Sequence, residues 1–235
     1  MQFEAIAIDE SPGDFHQRQF AHEGRTLWVP TLTNPPTLVL GSSQTEDSFD
    51  LDEVEAQGLG LTSRRSGGGA VLVGPEELVW FDVVLPVTDP LWHSDIRRSF
   101  DWLGSAVQRA LTTLGVETEL HQGPLVDTEW SRDICFAGLG PGELTIDGKK
   151  VVGMSQRRVR EAARIQVAIL LSWDGPAHAR LLKLDPDTRE RAATELESVA
   201  SGLPHSPKDI LNAVFLEINN VAKGTSNFWP IRGIR

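Results

Sequence analysis

Arg64-Arg65-Ser66-Gly67-Gly68-Gly69-Ala70-Val71 places two guanidinium groups directly before three successive glycines. Glycines without Cβ atoms let a backbone pass close to a bound group and aim N–H groups at it, at an entropic cost that an ordinary turn need not carry. The paired arginines add charge-assisted donors for a carboxylate or phosphate. The segment lacks the GK[ST] ending of a P-loop and the spaced GxGxxG of a dinucleotide fold. A second segment, Gly148 to Arg158 (GKKVVGMSQRR), carries Lys150 ahead of Gly153, Ser155 and Gln156. A charged Lys150 there would stabilise developing negative charge. The one cysteine, Cys135, precedes Lys150 by fifteen positions (150 minus 135). It is a candidate nucleophile if a cationic side chain lies near. Each feature also has a plainer reading: a solvated loop, a lysine discouraging pairing at a sheet edge, a small buried hydrophobe. From the residues alone both readings stand. The six histidines show no HxxxH or HxH spacing, so no metal site is expected.

Positioning these groups requires strands around both segments. Alternation over Phe3 to Ile8, the apolar run Leu27 to Val29, and Thr37 to Leu40 before Gly41 predict early strands. Leu61 to Ser63 leads into the glycine run, and Leu78 to Leu85 (LVWFDVVL), apolar except for Asp82, reads as a strand inside a sheet. Asp50 caps a short helix over Leu51 to Gln57. Ser94 to Leu114, apolar at Ile96, Phe100, Leu103, Val107, Ala110, Leu111 and Leu114, predicts an amphipathic helix capped at Ser94. Val116 to Leu120 reads as a strand. Glu143 to Val152 reads as a hairpin turning at Asp147-Gly148, where positive φ is cheap. That turn puts Lys150 on a strand, where its truncation is expected to leave the fold intact. Arg164 to Ser172 is a further strand, and Asp187 to Ala200 and Pro207 to Val221 carry helical patterns.

With 235 residues, 40% of them hydrophobic, the chain can bury one substantial core. We expect one domain over 1–235, with 172–235 set aside as a short C-terminal helical extension. Its 33 acidic against 22 basic residues oppose nonspecific binding to nucleic acid or an anionic membrane. Within that background Lys149, Lys150, Arg157, Arg158, Arg160 and Arg164 form a local cationic run that is either an anion site or a solvated face. No stretch of ~18 apolar residues occurs and Met1 to Glu10 lacks a signal-peptide pattern, so a cytoplasmic protein is expected.

In order and spacing the two segments resemble the biotin/lipoate protein ligase superfamily, in which an RRxGGGAV loop is followed by a GxKxxGxxQRR-like strand. Leu38 to Gln44 (LVLGSSQ) is similar to the strand and Gly-x-x-Gln turn that precede that loop in lipoate ligases. The resemblance spans about Thr37 to Leu171. It implies an α+β fold, a mixed β-sheet flanked by helices. Around a lipoyl or octanoyl group, or its adenylate, it implies Arg64 to Val71 together with Gly153, Ser155 and Gln156, and it puts Lys150 on the acyl carbonyl. In the ligase branch, which we place first, ATP with magnesium activates lipoate or octanoate as an acyl-adenylate that a carrier-domain lysine attacks. In the transferase branch a cysteine takes the acyl group as a thioester and no ATP is needed. The Cys135-Phe136 context and its spacing from Lys150 are similar to one transferase branch. Implied partners are lipoyl carrier domains of dehydrogenase complexes or the glycine cleavage carrier protein. Residues 172–235 are too few for the accessory domain of some ligases, which leaves a separate polypeptide to supply it. The chain departs from the pattern after GGGAV: Leu72, Val73 and Gly74 stand where an aromatic residue, His and Asp are expected. That removes polar donors from the pocket. Met154 and Ser155 replace a smaller pair and narrow the acyl tunnel. A noncatalytic protein that binds an acyl cofactor or a carrier domain is the third reading.

Overall fold

The computed structural model describes residues 2–20 and 24–224. In chain order its first half comprises β1 (Glu4–Ile8), α1 (Pro12–Gln17), β2 (Thr26–Pro30), β3 (Thr37–Leu40), α2 (Leu51–Ala56), β4 (Gly60–Ser63), β5 (Val71–Val73) and β6 (Leu78–Pro86). The second half comprises α3 (Asp101–Thr113), β7 (Glu119–Leu120), β8 (Leu144–Ile146), β9 (Lys149–Arg158), β10 (Ala162–Leu170), α4 (Gly175–Arg180), α5 (Pro186–Glu197) and α6 (Pro207–Ala222). A seven-stranded sheet runs β1-β2-β6-β10-β9-β8-β7, and a three-stranded sheet runs β4-β3-β5. In each sheet one neighbouring pair is parallel, β1 with β2 and β3 with β4, while the rest are antiparallel. The fold is therefore α+β with mixed sheets between helices.

Both faces of β6 are buried, which is why its sequence is almost continuously apolar. Val79, Phe81, Val83 and Leu85 face Leu103, Val107 and Leu111 of α3 and Ile210, Val214 and Ile218 of α6. Leu78, Trp80 and Val84 face the other way, against Val39 of β3 and Val73 of β5. Leu38 and Leu40, one position out of phase with Val39, pack outward against Val54, Ala179, Ala192 and Leu196 of α2, α4 and α5. The helices after residue 172 thus enter both outer layers. Burying each such leucine, valine or phenylalanine stabilises the fold by about 1.5–3 kcal/mol before entropy is counted. No helix among the described residues is long and apolar enough to cross a membrane.

Most predicted elements recur, with local differences. The helix expected from Ser94 begins at Asp101, after a 3-10 turn over Arg98–Phe100. Asp95, not Ser94, receives the N–H of Arg97 at 2.8 Å, and Arg158 donates to the carbonyls of His93 and Ser94, holding that segment out of the helix. Ile96 is accordingly 58% exposed. The strand expected over Val116 to Leu120 shortens to Glu119–Leu120. The hairpin is as expected: Asp147 at φ 50° and Gly148 at φ 77° make the tight turn between β8 and β9.

Candidate functional site

One of the three loop glycines, Gly69, admits neighbouring backbone, and so does Gly41 ahead of the loop. A Cβ on Gly69 would lie 2.7 Å from the backbone nitrogen of Cys135, and one on Gly41 only 1.8 Å from the Gly68 carbonyl oxygen. Gly68, at φ +99°, faces Arg64 and the Cys135 sulfur, while Gly67 meets nothing within 4 Å. The contact is closed by hydrogen bonds from Ala70 N–H to the Asp133 carbonyl (2.7 Å) and from Cys135 N–H to the Ala70 carbonyl (3.0 Å). Gln44 clamps the same stretch, accepting from Gly41 N–H at 2.8 Å and donating to the carbonyls of Arg132 and Asp133 at 3.0 Å. The loop and the Gly-x-x-Gln turn therefore share one task, the placement of Cys135.

Arg64 is buried beneath this loop. Its Nη1 donates to the Val39 carbonyl (3.2 Å) and its Nη2 to those of Gly67 (3.0 Å) and Gly69 (2.7 Å). Burial pulls its pKa below the ordinary arginine range, opposed by Cys135, whose thiol is within its hydrogen-bonding reach. Its Nε has no partner among the described residues. Arg65 is exposed and turned to α1, its Nε donating to Gln17 Oε1 at 2.6 Å.

Lys150 lies on β9, flanked by β8 and β10, so it is not an edge lysine. Its Nζ is 2.7 Å from Glu143 Oε2 and donates to the carbonyls of Cys135 (3.1 Å) and Gly138 (2.9 Å), which uses all three ammonium hydrogens. Glu143 is held in turn by the N–H groups of Gly140 (2.6 Å) and Met154 (2.8 Å). Both side chains are buried. Removing Lys150 would strand a buried carboxylate, which argues against the expectation that it can be truncated at little cost to the fold. Two-residue alternation along β9 separates two other predicted groups. Ser155 faces the loop, its Oγ 3.1 Å from Ser66 Oγ, whereas Gln156 accepts from Ser99 and Arg158 on the opposite face and is not brought to the site. The cationic run also disperses: Lys150 is spent on Glu143, Arg158 on the 93–94 carbonyls and Arg164 on Asp82.

Cys135 lines a cavity between the two sheets. Of the predicted residues, Arg64, Val71, Cys135, Gly153 and Ser155 reach it, while Arg65, Ser66, Gly67, Gly68, Gly69, Ala70, Lys150 and Gln156 do not line it. Strand register orders the wall. One row across the large sheet is Ser155, Gln166 and Asp82; two residues along it is Gly153, Ala168 and Trp80, and beyond that Leu170 pairs with Leu78. The first row is polar and the others apolar, and Val39, Val73 and Phe136 complete the apolar part. Val73, where the resemblance expects a histidine, is thus an apolar wall residue.

A histidine does reach the cavity, from α1, an element no motif marks. Ser11 caps this short helix through the Asp14 N–H, with Pro12 in its first turn. Arg164, paired with Asp82 at 2.5 Å, donates to the carbonyls of Phe15 (2.8 Å) and Arg18 (3.2 Å), tying α1 to the sheet. His16 then stacks on Trp80, with ring centroids 4.4 Å apart, and its Nδ1 is 2.9 Å from Gln166 Nε2. Burial, and then the charges of Arg64 and Arg164, hold its pKa well below the usual imidazole value. The ring is neutral. The sequence signal was Asp82 inside an apolar strand, since a buried carboxylate requires a partner. No group of three or more His, Cys, Asp or Glu side chains able to hold a metal ion occurs among the described residues.

The family model described as lipoyl protein ligase A/B catalytic domain matches residues 3–210. Two relatives are each named octanoyltransferase LipM. That of Moorella thermoacetica is 34% identical over 205 residues, 84% of this chain and 72% of the relative. That of Clostridioides difficile is 28% identical over 222 residues, 93% and 80% of the two chains. Among solved structures, the chain is similar to the bipartite lipoate protein ligase of Thermoplasma acidophilum, described with its E2 lipoyl domain, at TM-score 0.75 and 20% identity over 95% of this chain and 84% of the other. A lipoate–protein ligase A bound with ATP gives TM-score 0.64 and 20% identity over 94% and 85%. At those identities the structural likeness shows the fold.

Proposed function

The chain belongs to the lipoyl protein ligase A/B catalytic-domain family, and we propose that it transfers an octanoyl or lipoyl group to a lysine of a lipoyl carrier domain through a thioester on Cys135. One observation carries the reading: the thiol opens into an apolar cavity beside the Arg64 guanidinium, on a backbone gripped by both motifs. A cationic neighbour favours the nucleophilic form of a thiol in general. In the first half-reaction the Cys135 sulfur attacks the carbonyl of a donor thioester, a new C–S bond forms, and the donor leaves as its thiol. In the second the neutral amine of the carrier lysine attacks, the amide forms, the C–S bond breaks, and the amine proton passes to the returning thiolate or to solvent. The names of the relatives support this route.

The ATP-dependent ligase route has less support from the site. Three guanidinium N–H donors of Arg64 go to the carbonyls of Val39, Gly67 and Gly69, Gln156 is turned away and Val73 offers no donor, so few groups remain for an adenylate phosphate. The test is to incubate the protein with an octanoyl-carrier thioester and a lipoyl domain, without ATP. We expect a hydroxylamine-sensitive octanoyl adduct on Cys135 that chases onto the domain, and loss of both in Cys135→Ser. Transfer that demands ATP and survives Cys135→Ser would establish the ligase route instead; acyl binding with no transfer under either condition would establish the noncatalytic reading.

A further inference from the structure

We propose that His16 Nε2–H donates a hydrogen bond to the carbonyl oxygen of the acyl group in the cavity, which makes His16 a catalytic residue. The inference rests on the acyl-transfer reading above and extends it to a residue on a different element.

The tautomer follows from the neighbours. Asp82 is paired with Arg164 and accepts from Gln166, so the NH2 end of that amide faces Asp82 and His16. Its oxygen end consequently faces Ser66 Oγ and Ser155 Oγ, at 2.5 and 3.1 Å, and both are hydroxyl donors. Gln166 Nε2–H therefore donates to His16 Nδ1, which must be the bare nitrogen of a neutral ring, and the ring proton is on Nε2. That Nε2 is buried and has no partner among the described residues, although His16 is only 6% exposed and lines the cavity.

An orphan buried donor calls for an acceptor from the ligand. A saturated acyl chain has one, its carbonyl oxygen. The polar row that holds Gln166 and Ser155 marks the end of the cavity suited to that carbonyl, and the apolar rows through Ala168 and Trp80 suit the chain. Arg64, which faces the Cys135 sulfur, also lines the cavity, and its Nε–H has no partner among the described residues. When sulfur or amine attacks, negative charge collects on the carbonyl oxygen, and a donor already fixed in place by Gln166 and Trp80 strengthens most at that moment.

The experiment compares wild type with His16→Phe, which keeps the stacking on Trp80 and loses the donor. With octanoyl-carrier thioester as donor, we expect the rate of Cys135 acylation to fall by about 100- to 1,000-fold. With a carbonyl-¹³C octanoyl group, the infrared carbonyl band of the adduct should move to higher wavenumber in the variant, a change that a merely structural role would not produce. In ¹⁵N-histidine-labelled wild type, the Nε2–H resonance of His16 should shift on acylation, a readout that stands even if the variant fails to fold. An adduct whose band is the same in both proteins, or a Nε2–H resonance unmoved by acylation, would overturn the inference alone. Absence of any adduct on wild-type Cys135 would overturn the acyl-transfer reading and this inference with it.

Discussion

Lys150 holds the main chain at Cys135 and not its thiol, because its ammonium hydrogens go to Glu143 and to the carbonyls of Cys135 and Gly138. Its ion pair is buried, so breaking it on one side should be expensive. Lys150→Ala is expected to lower unfolding stability by about 3–5 kcal/mol, whereas Lys150→Met combined with Glu143→Gln should recover most of that loss. Lys150→Arg should not restore wild-type behaviour, since a planar fork does not fit a site shaped for a tetrahedral donor. Urea titrations of the three variants check this, and equal stability of Lys150→Ala and wild type would show that the pair contributes nothing. The lysine was legible in the sequence as part of a motif. Its partner was not, because Glu143 precedes a register irregularity between Leu144 and Thr145 that redirects the chain.

At the scale of elements, the glycine loop is a backbone spacer for the Cys135 segment. Gly69→Ala should push that segment aside, since its Cβ would fall 2.7 Å from backbone atoms that have no flexible end to yield. A displacement of about 1 Å at a nucleophile costs roughly 100-fold in rate, and that is the expected loss of Cys135 acylation. Gly67→Ala, which meets open space, should acylate at the wild-type rate. Equal rates in the two variants would remove the spacer role. The loop itself was conspicuous in sequence because three glycines need a reason, but both a ligand and a neighbouring backbone satisfy that reason. The α3 boundary was misplaced for a related cause: apolar spacing at Ile96 and Phe100 suits a helix, but Arg158 holds the carbonyls of His93 and Ser94, sixty-odd residues away in sequence.

For the whole molecule, two buried neutral histidines in different layers link stability to pH. His16 packs between α1 and the large sheet and His178 stacks on Trp173 at 4.1 Å, and burial, the leading cause in each, lowers both pKa values from the usual 6.5. The unfolded chain then binds more protons than the native one once pH falls below 6.5, so the stability they contribute is complete above that value and is lost as the medium is acidified. Each should contribute a slope of up to about 1.4 kcal/mol per pH unit below the unfolded pKa. Denaturant midpoints of wild type and His178→Phe between neutral and mildly acid pH check this: the variant should show the shallower loss, and parallel curves would show that His178 does not stay neutral in the native state.

The sequence by itself determined the Asp147-Gly148 hairpin, most strands and helices, and the two motifs around which the site is built, and the resemblance those motifs carry implied the α+β class. The hairpin, strands and helices depend on φ/ψ preferences and apolar periods within a few residues of one another. Only the tertiary structure decided which charges are consumed by the backbone, that Gln156 faces away from Ser155, and that His16 enters the cavity. Those outcomes depend on pairings such as Ser66 with Gln166 and His16 with Gln166, 100 and 150 residues apart, and such pairings exist only once strand register and the stacking of the two sheets bring the side chains together.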